Sequence, residues 1–163
     1  MIQRIQSVFL FLLVLSMVAM LFLPLWSKVD ATTGEEVVLT AWNIKSYATE
    51  ENLVPGTVPQ QNTMAIGMLA IAAAAVALYE IFQFKNRLNQ MKLGLLNTLI
   101  LAALLGTSFY YAAYVGAELV KADNNGSYEA GFYMPMLALL LNALANRFIK
   151  RDEDLVRSVD RLR

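Results

Sequence analysis

The sequence predicts an all-α membrane protein: a four-transmembrane-helix bundle with a short extracytoplasmic β-hairpin and a C-terminal cytoplasmic amphipathic helix. Its 163 residues are 58% hydrophobic with a mean hydropathy of +0.49, too apolar for one small soluble domain. Four stretches come close to the roughly 20 apolar residues that cross a hydrocarbon core about 30 Å thick. Lys and Arg are spread unevenly around those stretches, which gives the chain a direction across the membrane.

The first span covers about residues 6–26, within an uncharged run of 23 residues, 5–27. Its short basic start could be taken for a secretory signal. The apolar run 8–26 is 19 residues, longer than a signal core of about 7 to 15, and no Ala-x-Ala-like site follows directly, so an uncleaved anchor is expected. The outer loop 27–63 holds the strand-like run Val37-Val38-Leu39-Thr40-Ala41-Trp42-Asn43-Ile44. With a turn at Thr32-Thr33-Gly34 and the preceding Trp26-Ser27-Lys28-Val29-Asp30, it reads as a hairpin. A lone hairpin is marginal in water, so it should pack on the helix ends or on the second outer loop, 119–130. Pro55-Gly56 and Pro59 make the rest of the first loop irregular.

The second span, 64–84, carries one charge, Glu80, near its end, and the third, about 94–118, rests on a run of 25 uncharged residues, 93–117. The short basic stretch 85–92 between them makes these two helices antiparallel neighbours. Gly67, Ala70, Ala74 and Ala77 form a small-residue seam, and Ala102 with Gly106 and Ala112 with Gly116 repeat the spacing. Such seams serve packing within the bundle or docking of a partner helix. The fourth span, 131–149, carries Arg147 near its end. In the tail, 150–163, Leu155, Val159 and Leu162 recur at helical spacing, with Arg157 and Arg161 among them, so a basic amphipathic helix should follow. That helix either rests on anionic headgroups or docks a partner. The whole chain, 1–163, is a single transmembrane domain.

With both termini cytoplasmic, ten Lys and Arg residues lie inside and three, Lys28, Lys45 and Lys121, outside. The absence of Cys and His excludes disulfides, thiolate or imidazole metal sites and Ser-His or Cys-His nucleophiles. No Gly-rich phosphate cradle is present. Nothing implies a catalytic residue, cofactor, metal or nucleic acid, and the protein is read as not an enzyme.

Polar residues inside spans are expensive and mark places to look for function. Glu80, Asn97, Asn142, Asn146 and Arg147 all fall toward the inner ends of their spans, and Glu80 and Arg147 are expected to approach one another. The cluster is either interhelical glue or a half-channel with a coupling-ion carboxylate. For partner binding the candidates are Trp42 in the outer loop and Leu155, Arg157, Val159, Arg161 and Leu162 in the tail.

The opening Met1-Ile2-Gln3-Arg4-Ile5-Gln6-Ser7, the Asn146-Arg147-Phe148-Ile149 stretch and the closing Arg157-Ser158-Val159-Asp160-Arg161-Leu162-Arg163 resemble a Bacteroidetes membrane-protein family, that of domain of unknown function 4293. The resemblance covers the whole chain and implies a bacterial inner-membrane protein, without bringing an activity to any residue. The layout is also similar to claudin-like bundles in architecture alone; the Cys pair of the claudin loop is missing.

Function is therefore expected to be that of a non-catalytic accessory or assembly subunit of a larger inner-membrane complex, touching membrane lipids and a complex partner, with self-association as an alternative. The competing expectation is a small transporter or channel component working through Glu80, Asn97, Asn142 and Arg147. A third, an enzyme on lipid-linked substrates using Glu118, Asp123 or Glu129, has the least support, since those acids read as solvated loop charges.

Overall fold

Runs of Ala, Leu and Met with few interruptions favour helix, and four helices form. In the computed structural model, which describes residues 3–29, 35–47, 61–83, 86–116 and 126–160, they are α1 (Gln3–Met20), α2 (Met64–Phe82), α3 (Arg87–Tyr110, continued by a π-helical turn Tyr111–Gly116) and α4 (Ala130–Asp160). α1 packs on α2 and α4, and α3 packs on the same two, so the helices form a ring in chain order.

Three helical stretches, Met64–Phe82, Arg87–Gly116 and Ala130–Val156, are long and apolar enough to cross a membrane, while the apolar part of α1, Ile5–Met20, is shorter. The first span expected over 6–26 thus ends six residues early as a helix. Leu21 and Phe22 tighten into turn bonds to the carbonyls of Val18 and Ala19, and Pro24 then has no N–H to continue with. Trp26 starts a strand instead. α3 begins earlier than the expected residue 94, because Asn86 caps it by accepting the Asn89 N–H at 3.3 Å, so most of the expected loop 85–92 is helix. α4 runs on unbroken past residue 149 to Asp160.

The outer segments form more than a hairpin. β1 (Trp26–Val29), β2 (Glu36–Leu39), β3 (Asn43–Tyr47), β4 (Gln61–Asn62) and β5 (Ser127–Tyr128) make an antiparallel sheet in the order β4-β3-β2-β1-β5. The run 37–44, expected as one strand, is broken at Thr40. Its Oγ1 donates to the Asn43 carbonyl at 2.7 Å and accepts the Asn43 N–H at 3.2 Å, closing a side-chain turn that folds β3 back on β2. The pairing of Trp26 with both Leu39 and Tyr128 joins the two outer segments, as the marginality of a lone hairpin required. Thr32, Thr33, Gly34, Pro55, Gly56, Pro59 and the stretch 117–125, with Glu118 and Asp123, lie outside the described residues.

The sheet caps one end of the bundle. The free N–H groups at the start of α2 are met from outside the helix: Met64 donates to Asn62 Oδ1 at 2.9 Å and Gly67 to the Ala41 carbonyl at 3.0 Å. Trp42 is part of the same joint, since its Nε1 donates to the Leu21 carbonyl at 3.2 Å. Trp26 is buried beneath the sheet against Gly116 and Gly126, the latter at φ +68°. Trp42→Phe replaces the indole by a smaller aromatic ring and deletes one hydrogen bond, so a loss of at least about 1 kcal/mol in unfolding free energy is expected, readable by denaturation in mixed micelles.

Below the cap, large apolar side chains such as Met68, Leu95, Leu99 and Leu140 are exposed around the ring, while the interior holds alanines, larger residues such as Leu13, Met17, Leu101 and Leu104, and several polar groups. The seam of α2 is Gly67, Ala70, Ala73 and Ala77 rather than the expected Ala74, which is half-buried. It continues directly into Glu80, so this carboxylate lies on the face turned to the bundle interior.

Candidate functional site

At the end away from the sheet the bundle interior is polar. Glu80 is fully buried, with no hydrogen-bond partner for either carboxylate oxygen. Its helix meets α3 through Gln90, whose Nε2 donates to the Glu80 backbone carbonyl at 3.0 Å, leaving Gln90 Oε1 buried and unpaired. Gln90, Gly94 and Asn97 all lie on the buried face of α3, and Gln90 to Asn97 covers two turns, about 10 Å along the axis.

Asn142 of α4 ties onto this face. Its Nδ2 donates to the Gly94 carbonyl at 2.8 Å and to Thr98 Oγ1 at 2.9 Å, which leaves its Oδ1 buried and unpaired. Asn146, one turn on, sits half-buried with its amide packed on Gly94, in the space a Cβ there would need. Asn97 is fully buried with neither amide atom bonded. From α1 comes Gln6, 3% exposed, with an unpaired Oε1, near the stacked rings of Phe9 and Phe148 whose centroids are 5.6 Å apart. Every helix contributes to this column.

The structure therefore brings Glu80, Asn97 and Asn142 into the interior, sets Asn146 at its edge and leaves Arg147 out. Glu80 and Arg147 do not pair: the carboxylate has no partner, and Arg147 is exposed because the inward line of α4 runs through Asn142, Ala145 and Ile149. Gln6, Gln90 and Gly94 went unnoticed in the sequence. Gln90 was assigned to a loop, and a single Gln within a basic start carries no periodic signal.

Of the partner-binding candidates, Trp42 is spent on the joint between sheet and helices, with its ring edge 2.9 Å from where a Gly67 Cβ would stand. Leu155 is exposed on α4 beside exposed Val156. Arg157 and Val159 belong to the helix but their side chains, like Arg161 and Leu162 altogether, lie outside the described residues. Glu129, the third acid considered for catalysis, accepts the Ser27 Oγ–H at 2.9 Å and is part of the sheet edge. Among the described residues no three Asp, Glu, His or Cys side chains converge as a metal centre.

On the outer surface, Met91, Leu95, Asn146, Arg147 and Lys150 line a groove of about 330 Å³ between α3 and α4. An apolar floor with two cations at its rim matches an acyl chain and a phosphate headgroup. Arg147→Ala combined with Lys150→Ala is expected to lower the ratio of acidic to zwitterionic phospholipid that copurifies; an unchanged ratio would show that the groove does not select charge.

Three helices long and apolar enough to cross a membrane, an apolar exterior and polar groups set into the interior are consistent with a helical membrane protein. The chain belongs to the family described as Domain of unknown function (DUF4293), whose model matches residues 2–162. No curated protein matches the chain.

Proposed function

We propose that the chain is a four-span bacterial inner-membrane protein, both ends cytoplasmic, that works as a non-catalytic accessory or assembly subunit of a larger membrane complex. The observation that carries this reading is the outward face of α3. An added Cβ at Gly67, Gly94, Gly116, Gly126 or Gly131 would crowd atoms of the fold, whereas one at Gly106 meets nothing within 4 Å. Gly106 shares an exposed surface with Ala102, Ala103 and Phe109. Small residues facing outward offer a second helix close approach, the main source of helix association in lipid.

Orientation rests on charge and aromatic placement. The sheet end carries Tyr110, Tyr114, Tyr128 and Tyr133, all exposed, as an interfacial belt does, and the far end carries Arg147 and Lys150. The exposed Leu155 and Val156 on α4 supply a second surface, on the cytoplasmic side, for a partner.

Purification from the native membrane in a gentle detergent, with mass spectrometry of what stays bound, tests the reading. Gly106→Leu is expected to release a stoichiometric partner while leaving the protein's own unfolding midpoint unchanged, since the added side chain has open space in the isolated chain. Recovery of a lone monomer from the native membrane would overturn it.

A further inference from the structure

The unpartnered atoms of the polar column have a chemical bias. They are Gln6 Oε1, Glu80 Oε1 and Oε2, Gln90 Oε1, Asn97 Oδ1, Asn142 Oδ1 and Asn146 Oδ1 against two nitrogens, Asn97 Nδ2 and Arg87 Nη1, so among the described residues seven of nine are acceptors. Turning over the amides of Gln90 and Asn142 does not correct the imbalance. Gln90 Nε2 and Asn142 Nδ2 already donate to backbone carbonyls, so flipping either would set two acceptors face to face. Each buried polar group left without a partner costs about 1–3 kcal/mol, and more when charged, so the column needs a species that satisfies oxygens.

Its placement also matters. All the unpaired atoms lie in the half of the bundle away from the sheet, and fully buried Leu101 and Leu104 close the interior of α3 beyond Asn97. The Gln90–Glu80 bond sets the register of the antiparallel pair, which puts Asn97 roughly level with Ala73, where the opposing side chain is only a methyl group. Of the charged groups at this end, Arg87 enters from α3 with Nη1 buried, Lys92 and Arg147 are exposed, and Asp152 of α4 is nearly buried; α1 offers only neutral Gln6 among its described side chains.

We infer that the column is a binding path for a monovalent metal cation, sodium or potassium, with Glu80 as the charged ligand and the amide oxygens of Gln90, Asn97 and Asn142 as successive neutral ligands to the partly hydrated ion along the path from the far end. Hard cations take oxygen ligands. Glu80 is the one fully buried charged side chain among the neutral amides, Arg87 being half-buried at the start of α3, so it matches one positive charge, whereas a divalent ion would be left undercompensated. A proton on Glu80 would supply a single donor, enough for at most one amide oxygen. The inference goes beyond the docking role proposed above and holds whether or not a partner helix covers Gly106. It also gives the competing transport reading a ligand.

The test uses full-length protein in nanodiscs. Dicyclohexylcarbodiimide modifies carboxylic acids in apolar surroundings, and modification of Glu80 is read by mass spectrometry at fixed pH with sodium, potassium or choline chloride at matched ionic strength. Sodium or potassium is expected to suppress the labelling about tenfold at ten times its dissociation constant, with choline inert, and the more effective ion identifies the occupant. The same ion should raise the unfolding midpoint of wild type but not of Glu80→Gln. Asn97→Leu, which removes an amide ligand and keeps the carboxylate, should demand a higher ion concentration for the same protection. Labelling that responds to pH alone, labelling that is indifferent to both ions, or a Glu80 that never reacts while neither ion moves the midpoint would each overturn the inference. Loss of the Gly106 partner leaves these readouts untouched, so the two readings fail separately.

Discussion

Trp26→Ala is expected to lower the unfolding free energy by about 3–5 kcal/mol, the largest loss of any single substitution in the sheet cap. Trp26 is 2% exposed and is the largest buried side chain in the molecule. It stands on β1, next to the edge strand β5, paired with Leu39 on one side and Tyr128 on the other. Its ring packs on Gly116, at the end of the π-helical turn, and on Gly126, whose positive φ begins the approach to β5. One residue thus joins the end of α1, the end of α3 and the start of α4. The cap lies at the end of the helix ring, and in the proposed arrangement it faces water, where burial of apolar area is driven by the solvent and the usual cost of a cavity applies in full. Denaturant or thermal unfolding in mixed micelles measures it. A loss below about 1 kcal/mol would mean that the sheet collapses onto the vacated space, and that the helix ends are held by Trp42 and the Thr40 turn instead.

The ring of helices was legible in the sequence because hydropathy over nearly twenty residues is a strong, redundant signal. Its boundaries were less so, for local reasons. The apolar run of the first span continues through Pro24 to Trp26, and hydropathy cannot distinguish helix from the turn and strand that follow Met20. The Thr40 turn leaves no mark on a β-branched run, since Thr is itself a strand former and closes the turn with its own hydroxyl. β4 and β5 are two residues each and exist only through pairing with β3 and β1, which no local propensity encodes.

The site divides the same way. Depth is readable from position along a span, so Glu80, Asn97 and Asn142 were rightly placed toward one end of the bundle. Azimuth is not, unless a helical face is periodic all round. Arg147 stands two residues past the buried Ala145, with Asn146 half-buried between them, and each step of one residue turns the side chain by about 100°, so Arg147 faces the groove outside. The expected ion pair failed on that rotation, and the result is a buried carboxylate with no hydrogen-bond partner.

Gly94→Ala and Gly106→Ala should differ sharply although they make the same change on the same helix. At Gly94 the new methyl group would overlap Asn146 Oδ1 and crowd Cγ and Nδ2 at 2.6 Å, so α4 must move away from α3 or Asn146 must leave its place. Either response strains the Asn142 bond to the Gly94 carbonyl, because Asn142 stands one turn from Asn146 on the same face. In a lipid surround, where helix association depends on close packing rather than on water, lost contact between α3 and α4 has no hydrophobic compensation. Overpacking of this kind costs about 1–3 kcal/mol, and the strained hydrogen bond adds to it. At Gly106 the methyl group enters open space, and replacing Gly by Ala inside a helix is favourable by up to about 1 kcal/mol. Unfolding in one detergent mixture should therefore place Gly94→Ala below wild type and Gly106→Ala at or above it. Equal midpoints would show that α3 and α4 are not in close contact at Gly94, and with that the carbonyl that fixes the orientation of Asn142 would be lost from the polar column.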